Sequence, residues 1–418
     1  MRSSYRKLGE FIEIVDQRNK DLEVDLLLGV SIKKILIPSI ANTVGTKMRT
    51  YKIITKGQFV YGPVTSRNGD KMSIALLNDN DQAIVSQSYT VFKVADTTKL
   101  DPEYLMMWFR RPEFDRYARY MSHGSTRETF SWDEMCDIEL PVPSPEKQRE
   151  IVAEYKTVTD RIELNEKLNE KLEETAQAVY REWFVEFNFP MTAEQAKELG
   201  DPELEGKPYR DNGGKMIWNE ELEKDVPEGW EVKELGEVTN ITSSKRIYSH
   251  EYKDAGIPFY RGKEITLLKS GQIITEPIYI SKKRFEEIKE KFGSVATGDI
   301  LITAVGTIGS VYLVKDNKFY FKDGNIIWLK DFTMNFVNQY IFEFMNSIEF
   351  SETIQDITIG STQKAITIDD LQQVLLIFPF QELLQKYSNM RSTYTLKSNN
   401  HLLKLQNLLL SKMSKVGL

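Results

Sequence analysis

The chain has 418 residues, a formal net charge of −7, 41% hydrophobic and 28% charged residues, the balance of an ordinary soluble protein with room for two or three domains. No apolar run is long enough to span a bilayer and residues 1–11 lack a signal-peptide core, so a cytoplasmic protein without membrane attachment is expected. One cysteine, Cys136, excludes an internal disulfide framework, and the histidines His123, His250 and His401 lack the spacing of a metal site.

Residues 1–100 read as short strands between turns, in the runs 34–40, 57–64, 72–79 and 82–94. Residues 104–121 read as helical, with a break at Arg111-Pro112. A turn over 123–127 and a short element over 132–140 follow, with Cys136 packed behind it rather than reactive. A proline-punctuated exit leads to residues 146–187, which contain neither Pro nor Gly and are rich in good helix formers. Ser144-Pro145-Glu146 supplies its start signal. About 40 helical residues would extend ~60 Å, more than one ordinary domain needs. Ile151, Tyr155, Val158, Ile162, Asn165, Asn169, Leu172, Ala176, Val179 and Trp183 form a 4-3-4-3 seam broken by two Asn, the pattern of a helix packed on another helix. Residues 190–229 are polar and turn-rich and read as a linker. Residues 230–378 repeat the α+β pattern, with residues 336–354 as one helix. Residues 381–413, again without Gly or Pro, read as a second long helix whose apolar face includes Leu402, Leu405 and Leu409.

The halves repeat. Gly124-Ser125-Thr126 and Gly360-Ser361-Thr362 are separated by 360 − 124 = 236 residues, and Tyr104/Tyr340, Phe114/Phe350, Asp133/Asp369, Pro143/Pro379 and Glu146/Glu382 keep that offset. Leu8-Gly9-Glu10 matches Leu235-Gly236-Glu237 at 227, and residues 57–61 match 298–302 at 241. The chain is a tandem duplication: globular unit, helix, globular unit, helix.

Net acidity argues against nucleic acid, but its distribution does not. Residues 1–145 carry 20 basic and 19 acidic side chains, 146–229 carry 12 and 22, and 230–418 carry 23 and 21. The acidity sits in the first helix and linker, and the globular parts are near neutral with local basic clusters. Glycine-rich nucleotide loops, zinc-binding helices and nucleophile elbows are absent from the sequence. Gly306-Thr307-Ile308-Gly309 lies between two strands and reads as a hairpin, and Asp369-Asp370 as a helix-start charge bias. What remains are loops of hydroxyls, amides and cations that suit base edges and phosphates. In the first half these are Ser66, Arg67, Asn68 and Ser125, Thr126, Arg127, with Lys33 and Lys34 as further options. In the second half they are Lys245, Arg246, Arg261, Lys263, Thr307, Ser361, Thr362, Gln363 and Lys364.

The segments 161–165, 172–180 and 183–187 of the first helix, with 206–216, 227–230 and 408–414, resemble the specificity subunit of type I restriction–modification systems over essentially the whole length. Pro143 with Glu146 and Gln148 resembles that family's lead into the helix; in the second copy Leu384 stands where Gln is expected. The resemblance implies an α+β fold: two tandem α/β target-recognition domains, 1–143 and 230–379, separated by two long antiparallel coiled-coil helices, 144–189 and 380–418, with a linker over 190–229. It implies a non-catalytic subunit that reads a bipartite site on double-stranded DNA and needs no cofactor of its own. Two methyltransferase subunits would bind S-adenosylmethionine and dock on the helices, with restriction subunits as a further addition. A coiled-coil interaction scaffold without sequence-specific DNA binding is the alternative.

Overall fold

The computed structural model describes residues 5–39, 47–66, 69, 71–124, 127–272, 274, 277–315, 318–358, 365–394 and 399–415. The chain packs as two units, Met1–Glu163 with His401–Leu418, and Leu164–Asn400. This redraws the linear division expected from sequence: each unit takes in part of the long helix, and the first also takes the C-terminal helix.

The first unit is built on an antiparallel sheet in the order Ile12–Val15, Thr90–Val94, Gln58–Tyr61, Ile74–Leu76. One face meets the helices Pro102–Arg110 and Pro112–Met121 in a core that includes Phe59, Phe92, Tyr104 and Phe109. The expected break between these helices is present: Pro112 cannot continue the first, and Arg111 is extended at φ −70°, ψ 139°. The second unit has the same sheet, Asn240–Ser243, Ile326–Lys330, Ile300–Thr303, Val311–Leu313. Its register repeats as well. Ile14 and Phe59 both pair with Phe92, and Ile241 and Ile300 both pair with Leu329. The single helix expected over 336–354 is two, Val337–Phe344 and Ile348–Thr358, as in the first unit.

The duplication extends to individual hydrogen bonds. Ser131 and Glu134 form a capping box on the helix Trp132–Cys136, and Thr367 and Asp370 form one on Ile368–Gln372. The Tyr104 hydroxyl donates to the Pro141 carbonyl at 3.0 Å, and that of Tyr340 donates to Ile377 at 2.5 Å. Leu8 N–H donates to Ile138 and Leu235 N–H to Val374, each at 2.8 Å. The glycines of the two Leu-Gly-Glu motifs sit where a side chain has no room. A Cβ on Gly9 would lie 2.8 Å from the Cys136 Cβ, and one on Gly236 would lie 3.1 Å from the Gln372 Cβ. Half-buried Cys136 thus closes the helix against Gly9.

The long helix runs Pro145–Tyr180 and ends in one π-helical turn, Arg181–Val185. In the first unit Tyr155, Val158 and Ile162 are buried with Leu409, Leu410 and Met413; Ile151 and Leu402 are half-buried against the same core. In the second unit the Asn165 amide donates to the Asn399 side chain at 2.8 Å, Arg391 forks Glu173, and the Tyr387 hydroxyl donates to the Ala176 carbonyl at 3.3 Å. Rising numbers against falling numbers make the pair antiparallel. Val179 and Trp183 pack on that unit's core, while Asn169 and Leu172 are half-buried.

Three expectations need correction. The second long helix is two shorter ones, Gln381–Thr393 and Asn400–Lys412. Ser392 and Thr393 turn their hydroxyls back onto the Asn389 and Met390 carbonyls, and Tyr394 leaves helical geometry at ψ 58°. A Ser-Thr-Tyr run is a poor helix interior for these reasons. Leu405, placed in the seam by spacing, is 41% exposed. Residues 190–229 are more than a linker: Met191, Tyr209 and Val226 are buried in the second core, and Phe189 stacks on Tyr209 and Trp230 with ring centroids 4.6 and 5.2 Å apart. A few widely spaced apolar side chains in a polar segment carry no periodicity to betray them.

Candidate nucleic-acid interface

In the first unit the loop after Gln58–Tyr61 and the turn after Pro112–Met121 are sewn together. Thr65 N–H donates to Glu128 at 2.9 Å, Phe130 N–H to Pro63 at 2.8 Å, and Val64 bridges Thr129. His123 and Thr129 close the turn with N–H donations of 3.1 and 2.9 Å. Gly124 is required there, since at φ +140° a Cβ would meet the Arg127 carbonyl oxygen at 2.2 Å. Two loops separated by about sixty residues in sequence therefore share one surface. It presents Ser66 and Arg127, both exposed; Arg67, Asn68, Ser125 and Thr126 lie outside the described residues. Arg127 has no ion pair among the described residues, whereas neighbouring Arg119 is held by Glu128.

Sequence reading passed over Lys71 and Arg119, which line one shallow depression with Thr65 and Gly69. It also passed over Tyr120, 82% exposed on the last turn of Pro112–Met121. An exposed aromatic beside cations was the available signal, since base stacking uses that pairing. Lys33 is exposed, but Lys34 is not a surface cation. It is buried, donates to the Phe109 carbonyl and pairs with Asp115 at 2.8 Å, and burial holds its pKa below the ordinary lysine range.

The second unit repeats the stitch: Ile366 N–H donates to Ala304 at 3.1 Å, the counterpart of Phe130 to Pro63. Residues 304–310 form the expected hairpin, with Gly306 and Gly309 at φ +84° and +78° and Gly309 N–H donating to Thr303 at 2.9 Å. Val305 and Thr307 are exposed at its tip; Ser361, Thr362, Gln363 and Lys364 lie outside the described residues. Gly262 faces Thr303 and Val305, which brings Arg261 and Lys263 to this hairpin. Ser244 donates to the Phe321 carbonyl at 2.7 Å and Lys322 N–H to Tyr260 at 2.9 Å, which ties in Lys245 and Arg246.

These cations differ in freedom. Arg261 forks buried Glu264 at 3.0 and 3.2 Å, its backbone N–H donates to the same carboxylate at 2.9 Å, and the side-chain hydrogen bond pushes its pKa up. Arg246 is held by Asp323 at 3.0 Å, which raises it likewise. Lys245 lies 4.5 Å over the Phe292 ring. Lys263 is exposed and has no ion pair among the described residues. Each unit thus has a cation unpaired among the described residues beside a hydrogen-bonded loop: Arg127 in the turn of the first, and Lys263 at the start of the helix Gly262–Lys269, next to the hairpin of the second. Such an arrangement can hold phosphates and reach base edges. Among the described residues no cluster of His, Cys, Asp or Glu could hold a metal ion, and no helix is long and apolar enough to cross a membrane.

Comparison with known proteins agrees with the duplicated fold. The sequence profile described as the type I restriction modification DNA specificity domain matches residues 4–174 and again 227–388. The chain is 26% identical over 290 residues to the type I restriction enzyme MjaIX specificity subunit of Methanocaldococcus jannaschii, covering 69% of this chain and 61% of that one. It is 24% identical over 322 residues to the type I restriction enzyme HindI specificity subunit of Haemophilus influenzae, covering 66% of this chain and 67% of the relative. The crystal structure of a type I restriction–modification S subunit from M. genitalium shares the fold, with a TM-score of 0.50 at 14% identity over 98% of this chain and 95% of that one.

Proposed function

Given that this chain belongs to the type I restriction–modification DNA specificity family, we propose that it is the non-catalytic specificity subunit of such a complex and that each unit reads one half of a bipartite site on double-stranded DNA. The observation that carries this is the duplicated loop pair. Two scaffolds alike down to single hydrogen bonds carry loop sequences at the same two places of the repeat, and the residues in those sequences differ, as two different half-sites would require. Two methyltransferase subunits dock on the helices and bind S-adenosylmethionine, so the chemistry is theirs; restriction subunits complete a nuclease form. The acidic outer face of the long helix suits protein partners and would repel DNA.

The test is the adenine methylation pattern of cells co-expressing the chain with its methyltransferase. A bipartite N6-methyladenine motif is expected. Arg127→Ala should relax one half and Lys263→Ala the other, each weakening specific binding by roughly 1–3 kcal/mol if a base contact is lost. Affinity should fall steeply with salt. An assembled, active complex with no motif, or with DNA affinity insensitive to salt, would leave the helices as a mere scaffold and sink the reading.

A further inference from the structure

The two units seat their helix segments with opposite chemistry. In the second unit Glu343 is fully buried and accepts from Arg391 Nε at 2.7 Å and from the Gln177 amide at 2.6 Å, while Arg391 forks Glu173. The offset of 236 carries Glu343 to Met107, Arg391 to Tyr155, Glu173 to Leu409 and Gln177 to Met413. All four counterparts are buried together in the first unit's core. One seat is therefore ionic and its equivalent is apolar, although Tyr104 and Tyr340 make the same hydrogen bond beside them.

The segments that fill these seats are lent crosswise. Residues 164–180 continue a helix rooted in the first unit and belong to the second; the helix Asn400–Lys412 follows the second unit's strands and belongs to the first. By the repeat these are the same segment, since 400 − 164 = 236. Each half of the chain is thus built to receive such a segment, and two copies offer a second way to close, with like halves together. The side chains oppose it. In the first unit, residues 164–180 would put Glu173 and Gln177 where Leu409 and Met413 are 7% and 1% exposed. Arg110, which lies over the Tyr155 ring, is the cation at hand there, and the Gln177 amide would be buried among apolar groups. In the second unit, Asn400–Lys412 would leave Glu343 with Gln339 and Arg391 but without the Gln177 amide, and Arg391 without Glu173. Both losses fall together in every such exchange, and a buried charge short of a partner is strongly destabilising.

We infer that Glu343, Arg391, Glu173 and Gln177 form a pairing key: they hold residues 164–180 in the second unit of their own chain and keep two copies from closing with like halves together. This inference does not depend on the DNA reading.

The test takes the full chain, unfolds it in denaturant, refolds it at one fixed concentration and reads its mass by light scattering after gel filtration. The wild-type chain should refold as a monomer. The variant E173L/Q177M/E343M/R391Y gives the second unit the first unit's residues. It should fold, because apolar groups of similar volume replace a buried ionic cluster without large loss. Its ratio of dimer to monomer should rise at least about tenfold over wild type, the equivalent of ~1.4 kcal/mol. Two differently tagged copies refolded together should copurify, and the dimer should survive dilution, since like halves part only by unfolding. If the fourfold variant does not fold, Glu173→Leu with Gln177→Met leaves Arg391 on Glu343 and carries the same prediction. A folded variant as monomeric as wild type, a wild-type chain that dimerises as readily as the variant, or a dimer that falls apart on dilution would overturn the inference.

Discussion

Lys34 and Asp115 sit in the first unit with side chains 5% and 12% exposed, so neither charge has water to fall back on. Asp115→Asn should cost about 3–5 kcal/mol, because it strands a buried ammonium. Burial already holds the Lys34 pKa below its ordinary 10.5, against the raising effect of Asp115. Without Asp115 it falls further, so the unfolded chain binds that proton more tightly than the folded one. The variant's deficit should therefore shrink as pH rises toward 10.5, as urea unfolding at several alkaline pH values would show. A deficit independent of pH would mean that Lys34 is not charged in the fold. Gly9 and Gly236 give a paired test. Gly9→Ala should destabilise by about 1–3 kcal/mol through overpacking, and Gly236→Ala by less, since its gap to Gln372 is 0.3 Å wider than that of Gly9 to Cys136 (3.1 against 2.8 Å). At this scale the repeat offset identified which residues matter without giving their reasons. Tyr104 and Tyr340 matched in sequence, but only the folded chain shows both hydroxyls tying a helix to a strand carbonyl. Lys34 was misleading because a charge count cannot see burial.

The helix pair of the second unit is keyed by polar groups. Glu343 is fully buried; it accepts from Arg391 Nε at 2.7 Å and from Gln177 at 2.6 Å, and Arg391 also forks Glu173 at 2.9 and 3.0 Å. Arg391→Met should cost about 3–5 kcal/mol at neutral pH by leaving Glu343 buried without its counter-charge. Burial already raises the Glu343 pKa, and loss of Arg391 raises it more. Folded above unfolded means that stability is kept at acid pH and lost as pH rises, so the variant should recover on acidification. Thermal unfolding from neutral to acid pH checks this. The buried Asn165–Asn399 pair belongs to the same class. Replacing one by Leu should destabilise more than replacing both, because a lone buried amide is left unsatisfied. The Asn positions were visible in the seam, but their partners were not. A seam records which residues face inward and is silent on what they meet, so Gln177 and Glu343, on different elements, could not be joined in advance. The break after Thr393 was written in its Ser-Thr-Tyr run and outweighed by the absence of Gly and Pro.

The units do not follow the order of the chain. The first closes only when His401–Leu418 joins Met1–Glu163, with Leu409, Leu410 and Met413 in its core and the Tyr5 hydroxyl donating to the Ser414 carbonyl at 2.9 Å. Truncation after residue 400 should therefore destabilise the start of the chain more than the middle. Hydrogen exchange should show lost protection around Leu8 and Tyr104 while the Ile300–Thr303 strand stays protected; uniform loss would mean one cooperative block. The tandem repeat, the α+β class and the α-helical spacer could be read from the sequence, because a repeated offset and a long glycine-free run are patterns in one dimension. The discontinuous core could not, because it depends on which end of which helix finds which sheet.

That discontinuity sets a clock on synthesis. A ribosome adding about 5–20 residues per second needs tens of seconds to go from Glu163 to His401. Throughout that interval the nascent first unit lacks Leu409, Leu410 and Met413. Its unfinished apolar seat is open to other chains until His401–Leu418 has been made.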